Sequence, residues 1–141
     1  MAKVVIDRGQ ARITAGLFAR RRVERAVNDI VLNAKIRAGQ GPYATGRLAR
    51  SITSFVANTP LGVQARVGSD LVYAGAAEGG ARKHVIRPRT AKALYFYWRK
   101  VGQHVLLSKV NHPGMRGKHY LRESLIQAGR RHGFRVRIYE R

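Results

Sequence analysis

Residues 12–38 carry the apolar pattern that most restricts what this chain can fold into. Apolar residues recur there at spacings of three and four, which aligns them on one face of a helix. They are Ile13, Leu17, Val23, Val27, Ile30, Val31 and Ala34. The segment GQGP at 39–42 ends the pattern, because Gly39 suits a left-handed cap and Pro42 cannot continue a helix. The pattern predicts one long helix near the N-terminus.

Shorter elements are predicted in the middle of the chain. In PYATGRLARSI, Thr45 can cap a short helix that buries Leu48 and Ile52. The segments ITSFVANT and VQARVGS alternate between apolar and polar residues, as half-buried strands do, and the turn TPLG at 59–62 joins them into a hairpin. Residues 71–78 indicate one or two helical turns, which a pair of glycines ends.

The second half of the chain predicts more strands and a second helix. The densest aromatic and branched apolar residues lie at 93–110, which indicates two adjacent strands. The basic segment 82–90 is expected to be extended, since Pro88 restricts it to a sheet edge or a loop. A helix is predicted over 118–131, and alternation in FRVRIYER predicts a closing strand. Residues 3–6 are expected to form a first strand.

The order of these elements indicates an α+β fold. We expect a mainly antiparallel, curved sheet packed with the long N-terminal helix and a second, C-terminal helix. The length of 141 residues suits one domain over residues 1–141. No apolar run approaches the roughly 20 residues that span a bilayer, so we expect no membrane partner.

The charge of the chain is its most unusual property. Twenty-eight Lys and Arg stand against seven Asp and Glu, a formal net charge of +21. Such a surface attracts polyanions, and nucleic acid is the obvious candidate. Charge also serves solubility and contact with acidic proteins, so it does not decide the partner. The chain has no cysteine, which excludes disulfides and cysteine-based zinc sites.

The stretch VNHPGMRGKHYLRESL raises the question of a metal or catalytic site. His112 and His119 flank a Pro-Gly turn, and Glu123 is the nearest carboxylate. A catalytic zinc usually needs three protein ligands, and the basic surroundings oppose a dication. No two histidines have the i, i+4 spacing of an HExxH helix. The five histidines are His84, His104, His112, His119 and His132. We expect no metal and no cofactor.

Hydrolytic chemistry finds no support among the acidic residues. They are scattered, and their basic neighbours hold them ionised, whereas a general acid needs a raised pKa. They are Asp7, Glu24, Asp29, Asp70, Glu78, Glu123 and Glu140. A two-metal nuclease would need a cluster of acids, and no serine stands in a GxSxG context. The sequence therefore predicts that the protein is not an enzyme.

The run Tyr95-Phe96-Tyr97-Trp98 has two interpretations. Aromatic rings on a sheet can stack nucleic-acid bases. Because the run is contiguous, however, alternate rings point to opposite faces of the strand. We expect one face to build the core and the other to pack on a helix or on a neighbouring subunit.

Four segments, taken in order, resemble one protein family. They are PYATGRLARSI, VGSDLVYAGAAEGG, KHVIRPRTAKALYFYW and VNHPGMRGKHYLRESL. Their pattern is similar to that of the neck or tail-completion proteins of long-tailed phages, a family that includes minor tail components. The resemblance covers about residues 40–128. Two departures are Gly79, which directly follows Glu78 where a bulky residue is common, and Tyr120, which stands where Phe is usual.

The resemblance implies a structural virion protein of a bacteriophage. Its members form rings at the head–tail junction, which join the DNA-filled head to the tail and let DNA pass. It implies a homo-oligomer, expected to be a hexameric ring, assembled in the host cytoplasm. The expected partners are head-closure or connector proteins, tail-terminator or tail-tube proteins, and passing genomic DNA bound without sequence preference. It also implies that His-Pro-Gly is a turn that positions a helix.

A ring uses a heterologous interface, in which one patch meets a different patch of the next copy. We expect the extended segment 82–90 and the loop around Pro113 to make these contacts. The candidate interface residues are Arg82, His84, Ile86, Pro88, His112, Pro113 and Tyr120. The first strand can also add to a neighbour's sheet by edge pairing. A candidate basic patch, directed at DNA or at acidic neighbours, consists of Arg20, Arg21, Arg22 and Arg25.

The alternative is a free, non-specific nucleic-acid-binding protein. It explains the net charge of +21 directly, but it does not explain the four ordered segments. The salt dependence of DNA binding separates the ring subunit from the free binder, since the affinity of a dedicated binder for DNA falls steeply as the salt concentration rises.

Overall fold

The computed structural model describes residues 3–7, 10–16, 19–41 and 44–137. They form two compact units. Unit 1 contains the described residues up to Gly80 and from Arg116 onward, and unit 2 is the segment Ala81–Met115 between them. The prediction of one domain over 1–141 stays a prediction.

The chain contains helices and antiparallel strands, which confirms the α+β class. The four helices of the described part are α1 (Arg20–Ala38), α2 (Arg47–Ser51), α3 (Ala74–Gly79) and α4 (Tyr120–His132). The strands of unit 1 are β1 (Lys3–Asp7), β2 (Gln10–Ala15), β3 (Thr53–Thr59) and β4 (Gly62–Gly68). Unit 2 holds β6 (His84–Ile86), β7 (Leu94–Trp98), β8 (Gln103–Leu107) and β9 (Val110–His112). Two short strands, β5 (Gly80–Ala81) and β10 (Met115–Arg116), pair where the chain passes between the units.

The sheet of unit 1 has four antiparallel strands in the order β1-β2-β4-β3. Strands β3 and β4 form the predicted hairpin, in which Thr59 stands opposite Gly62 across a two-residue turn. In β4 the buried Val63, Ala65 and Val67 alternate with exposed residues, so one face of the sheet is apolar. This face forms one side of the core.

Helix α1 packs its apolar stripe against that face of the sheet. Val23, Val27 and Ile30 are buried at the spacings of three and four that the sequence shows. Helix α1 packs against α4 and against β3 and β4. From α4, Leu121 and Leu125 enter the same core. Full burial of each such side chain contributes about 1.5–3 kcal/mol.

The start of the long helix was predicted wrongly. Helix α1 begins at Arg20, not at residue 12, and Ile13 lies in β2 opposite Ala65. Ile13 is buried, as predicted, but from the sheet. Its spacing fits a helix stripe, and pairing with the distant β4 overrides that local pattern. Leu17 and Pro42 lie outside the described residues.

The helix ends were partly predicted. Gly39 caps α1 in the right-handed region, with φ −77°, and the positive φ falls at Gly41, with φ 111°. Helix α2 buries Leu48 and is followed by buried Ile52, as expected. Its N-cap is Gly46, with φ 75°, rather than Thr45.

The closing strand is not formed in the described residues. After α4, residues 134–137 have no regular structure, and Phe134 and Val136 are half-buried against the core. Val136 lies close to Gly129 of α4, where a Cβ would come within 2.3 Å of its side chain. Residues 138–141 of the predicted strand lie outside the described residues.

Unit 2 consists of two small antiparallel pairs, β6 with β9 and β7 with β8. The strands at 93–110 are therefore confirmed. Their predicted core is wrong, since no residue of Ala81–Met115 is buried.

Candidate interaction surface

The His-Pro-Gly segment does not form the predicted turn. His112 ends β9, which pairs with β6, and after Pro113 and Gly114 the chain enters β10, which pairs with β5, without a turn or bend at residues 113–114. The His112 ring Nδ1 accepts a hydrogen bond of 3.1 Å from the backbone N–H of Gly114. Gly114 has φ 85°, and a Cβ there would lie 2.5 Å from the carbonyl oxygen of Ala81. Any other residue would therefore be strained and in collision at this position.

The segment that follows lies directly on the end of α3. The N–H of Lys118 donates to the Ala77 carbonyl at 2.7 Å, and the N–H of His119 donates to the Glu78 carbonyl at 3.0 Å. A Cβ on Gly117 would lie 2.3 Å from the carbonyl oxygen of Glu78. The glycine allows the two backbones to approach this closely.

Lys118 also ties this segment to the end of α1. Its Nζ donates to the carbonyls of Ala38, at 3.3 Å, and Gln40, at 2.8 Å. These carbonyls lack partners within the helix, and a cation there also interacts favourably with the helix dipole.

Glu78 caps α4 from a distant part of the chain. One carboxylate oxygen accepts from the N–H of Leu121 at 2.8 Å, and the other accepts from the N–H of Arg122 at 2.9 Å. The local N-cap residue, His119, has φ 48° and makes no side-chain cap bond. The carboxylate, which is 5% exposed, therefore does the work of an N-cap and meets the positive end of the helix.

Tyr120 is fully buried, at 0% exposure, beside this cap. Its hydroxyl donates to the Ala74 carbonyl at 3.3 Å. Burial raises the pKa of the Tyr120 phenol above its ordinary value, and the neighbouring charge of Glu78 raises it further. A side chain without exposed surface cannot contact a partner, so the prediction of Tyr120 as an interface residue is wrong.

Several of the described carboxylates and histidines make structural contacts. Asp29 accepts from the His132 ring at 2.7 Å and pairs with Arg131 at 3.3 Å. Glu24 pairs with Arg20 at 2.8 Å. Across the parts of the chain that the structure describes, no three His, Cys, Asp or Glu side chains form a group that could hold a metal ion.

The four arginines of the predicted basic patch on α1 differ in their contacts. Arg20 donates to Glu24 and to the Asn58 side chain, at 2.8 and 2.9 Å. Arg22 donates to the carbonyl of His132 at the end of α4, and its guanidinium lies over the Phe134 ring at 4.9 Å. Arg21 and Arg25 are exposed on the helix. Two of the four predicted residues are thus engaged within unit 1.

Unit 2 concentrates positive charge without any acid. It holds eight Lys and Arg residues and no Asp or Glu, which makes +8. The cations are Arg82, Lys83, Arg87, Arg89, Lys92, Arg99, Lys100 and Lys109. The unit therefore contains no carboxylate to neutralise them. The sequence alone shows this concentration of positive charge, since no acidic residue occurs between Glu78 and Glu123.

Strands β6 and β9 bring together several predicted interface residues. His84 stands opposite His112, and their rings stack with centroids 4.9 Å apart. Val85 and Ile86 are exposed, although both are aliphatic. Arg82 and Pro113 are exposed, and Pro88 is half-buried. Apart from Tyr120, the predicted interface residues therefore lie on unit 2 with accessible surface.

The hairpin β7–β8 has aromatic and aliphatic residues on both faces. One face carries Leu94, Phe96 and Trp98 on β7, opposite Leu107, Val105 and Gln103 on β8. We call the other face the open face, and it consists of Tyr95, Tyr97, His104 and Leu106. Tyr95 is 71% exposed and Leu106 is 69% exposed. The sequence predicted these rings in the core or at an interface, and the structure leaves them accessible.

Three rings lie together on the open face. The Tyr95 and His104 rings stack at 5.0 Å with an interplanar angle of 14°, and Tyr97 meets His104 edge-on at 5.3 Å. Such an exposed group presents hydroxyl and ring N–H donors along one surface. It can bind a protein or a nucleic acid.

No protein-family model matches the chain, and comparison with curated proteins and with solved structures finds no significant match. None of the helices in the described ranges is both long enough and apolar enough to span a membrane.

Proposed function

We propose that this protein is a structural virion subunit of a long-tailed bacteriophage. It forms a homo-oligomeric ring at the head–tail junction, and the ring joins the head to the tail and lets DNA pass. The observation that carries the proposal is unit 2, a segment of paired strands without a single buried residue. The family resemblance of the sequence supplies the particular assembly.

The physics of unit 2 supports assembly. A two-stranded hairpin is at best marginally stable alone in water and needs packing against other surfaces. Exposed aliphatic and aromatic side chains on both pairs of strands leave apolar area to be removed from water. We call unit 2 the arm. A neighbouring copy in a ring covers the exposed aliphatic residues of β6 on this arm through a heterologous contact.

The contacts made by residues of the resembling segments support a structural protein. Glu78 and Gly117 belong to two of the segments that carry the resemblance, and they meet in the cap of α4. Gly114 allows the backbone between β9 and β10 to pass close to Ala81. These residues order the backbone through hydrogen bonds and close approach, and none of them needs a substrate to explain it.

Oligomeric mass tests the assembly. We expect full-length protein in light scattering to show a multiple of the 15.7 kDa chain. The double variant Val85→Ser/Ile86→Ser should shift the protein toward monomer, because it removes exposed apolar area from β6. The matched control is Leu32→Ser/Ile36→Ser, which changes two exposed aliphatic residues of α1. A monomer at all concentrations, or equal shifts in both variants, contradicts the proposal.

Electron microscopy of lysates tests the place of the ring. A phage lacking this gene should produce filled heads and separate tails side by side. Normal, infectious particles would remove the structural function.

A free nucleic-acid-binding protein is the second candidate. The observation that favours it is the same unit, with its charge of +8 and its exposed aromatic rings. It predicts tight DNA binding by a monomer, whereas a ring subunit assembles without DNA.

A further inference from the structure

We propose that the open face of β7–β8 contacts the sugar–phosphate backbone of double-stranded DNA. The inference rests on the proposed function for the identity of that DNA, which is the genome passing through the ring. It places the DNA contact on unit 2 and not on the arginines of α1.

The open face offers donors suited to phosphate. Tyr95 and Tyr97, 71% and 54% exposed, carry hydroxyl groups, and His104 lies between their rings. Tyrosine hydroxyls are among the groups that donate to phosphate oxygens in protein–DNA contacts. Such contacts carry no sequence information, which suits a protein that every part of a genome must pass.

Cations follow and precede the strands at both ends of the hairpin. Lys100 is in the turn of the hairpin, where the N–H groups of Val101 and Gly102 donate to the Trp98 carbonyl. Lys92 and Lys109 flank the other end, since Leu94 stands opposite Leu107. Five strand residues span about 17 Å, and a duplex of that length carries on the order of ten phosphates. The cations therefore bracket a length of backbone with ample negative charge.

The distribution of acids favours a polyanion over a second copy on this face. Unit 2 has no carboxylate, and a ring brings several units of +8 together. Facing cations of neighbouring copies repel each other unless an anion lies between them. On α1, by contrast, Arg20 pairs with Glu24, and Arg22 is bound to a carbonyl.

The test is the binding of full-length protein to a fluorescent 20-base-pair duplex across a series of salt concentrations, with a single strand of equal length in parallel. The arm variant Lys92→Gln/Lys100→Gln/Lys109→Gln should bind the duplex at least tenfold more weakly at 0.1 M salt, an order-of-magnitude expectation. The slope of log K against log salt should fall by about 2.7, at about 0.9 for each lost phosphate contact. The matched control, Arg21→Gln/Arg25→Gln/Lys35→Gln, removes three exposed cations from α1 and should leave the slope within about one unit.

A second variant tests the tyrosines without changing charge. Tyr95→Phe/Tyr97→Phe keeps the rings and removes the hydroxyls, and it should weaken duplex binding several-fold. All these side chains are exposed, and circular dichroism will confirm that the variants fold. Tighter binding of the single strand, undiminished in the Phe variant, indicates base stacking and overturns the backbone contact.

Other outcomes also overturn the inference. Equal losses in the arm and α1 variants would show that net charge, not the open face, binds DNA. Unchanged DNA binding with loss of oligomeric mass in the arm variant would show that the face contacts protein. Light scattering on the same samples separates the two proposals: a monomer whose duplex binding needs the arm refutes the ring and keeps the DNA contact. An oligomeric ring whose duplex binding is the same with and without the arm substitutions keeps the ring and refutes the DNA contact.

Discussion

Units 1 and 2 are built from the same kinds of residue, and they use them in opposite ways. Unit 1 places Val23, Ile30 and Val67 between two helices and a sheet, with almost no exposed surface. Unit 2 has equally apolar strands, yet Tyr95 and Leu106 remain mostly exposed. The difference teaches that apolar composition alone does not define a core. A core also needs a second layer, and unit 2 contains strands without one.

Charge follows the same division. The described acids that make ion pairs, Glu24 and Asp29, lie on α1 in unit 1. Unit 2 has eight cations and no acid. Unit 1 thus pairs part of its charge internally, whereas unit 2 has no acid of its own with which to do so.

The largest expected effect compares apolar truncations in the two units. Ile30→Ala should lower the free energy of unfolding of the chain by about 2–5 kcal/mol, because it leaves a cavity in a closed core. Leu106→Ala, at a side chain that is mostly exposed, should change it by less than about 0.5 kcal/mol. Urea denaturation of dilute protein measures both. Equal losses would refute the contrast between the units.

The next effect concerns the cap of α4. Glu78→Gln should cost about 1.5–3 kcal/mol of unfolding free energy, because one charge-assisted acceptor is replaced by an amide that must turn a donor toward backbone N–H groups. The control is Glu123→Gln, an exposed acid in the first turn of the same helix. It should cost less than about 1 kcal/mol, the usual range for a charge near a helix dipole. Similar losses in both would mean that helix charge, rather than the buried cap, matters.

Two glycines give a sharper test of the close approach within unit 1. Gly117→Ala should destabilise the protein by about 1–3 kcal/mol, because the new Cβ meets the backbone of Glu78 and Gly79. Gly79→Ala has open space around its Cβ and should be neutral or slightly stabilising in thermal melts. A neutral Gly117→Ala variant would show that the two segments separate at little cost.

The smallest effect is a pH dependence from Tyr120. The folded protein holds this phenol neutral, since burial raises its pKa, whereas the unfolded chain ionises it above about pH 10. The free energy of unfolding should therefore fall as pH rises beyond 10, and it should be unaffected by this group below that pH. Denaturation from pH 8 to 11 should show a shallower fall in Tyr120→Phe. Parallel curves would indicate that the ring ionises freely in the folded state.

Local patterns predicted most of unit 1. The hairpin of β3 and β4 followed from alternation and a two-residue turn, and α4 followed from its apolar stripe. The turn predicted at His112–Gly114 is not formed, because β9 and β10 on either side of it pair with β6 and β5 instead of with each other. The start of α1 was missed because Ile13 satisfies both a helix stripe and a strand face. The role of Glu78 was missed because its partners lie 43 and 44 residues further along the chain. The exposure of Tyr95 was missed because an aromatic strand has the same sequence with or without a layer above it.

The sequence by itself determined the α+β class, the positions of the two hairpin turns and the excess of positive charge, because periodicity, glycine and proline act over a few residues and charge is a sum. Tertiary structure alone decided which apolar segments became core, which arginines of α1 were engaged, and which carboxylate capped α4. Those outcomes depend on contacts between residues far apart in the chain, and burial is a property of the packed layers rather than of any one segment.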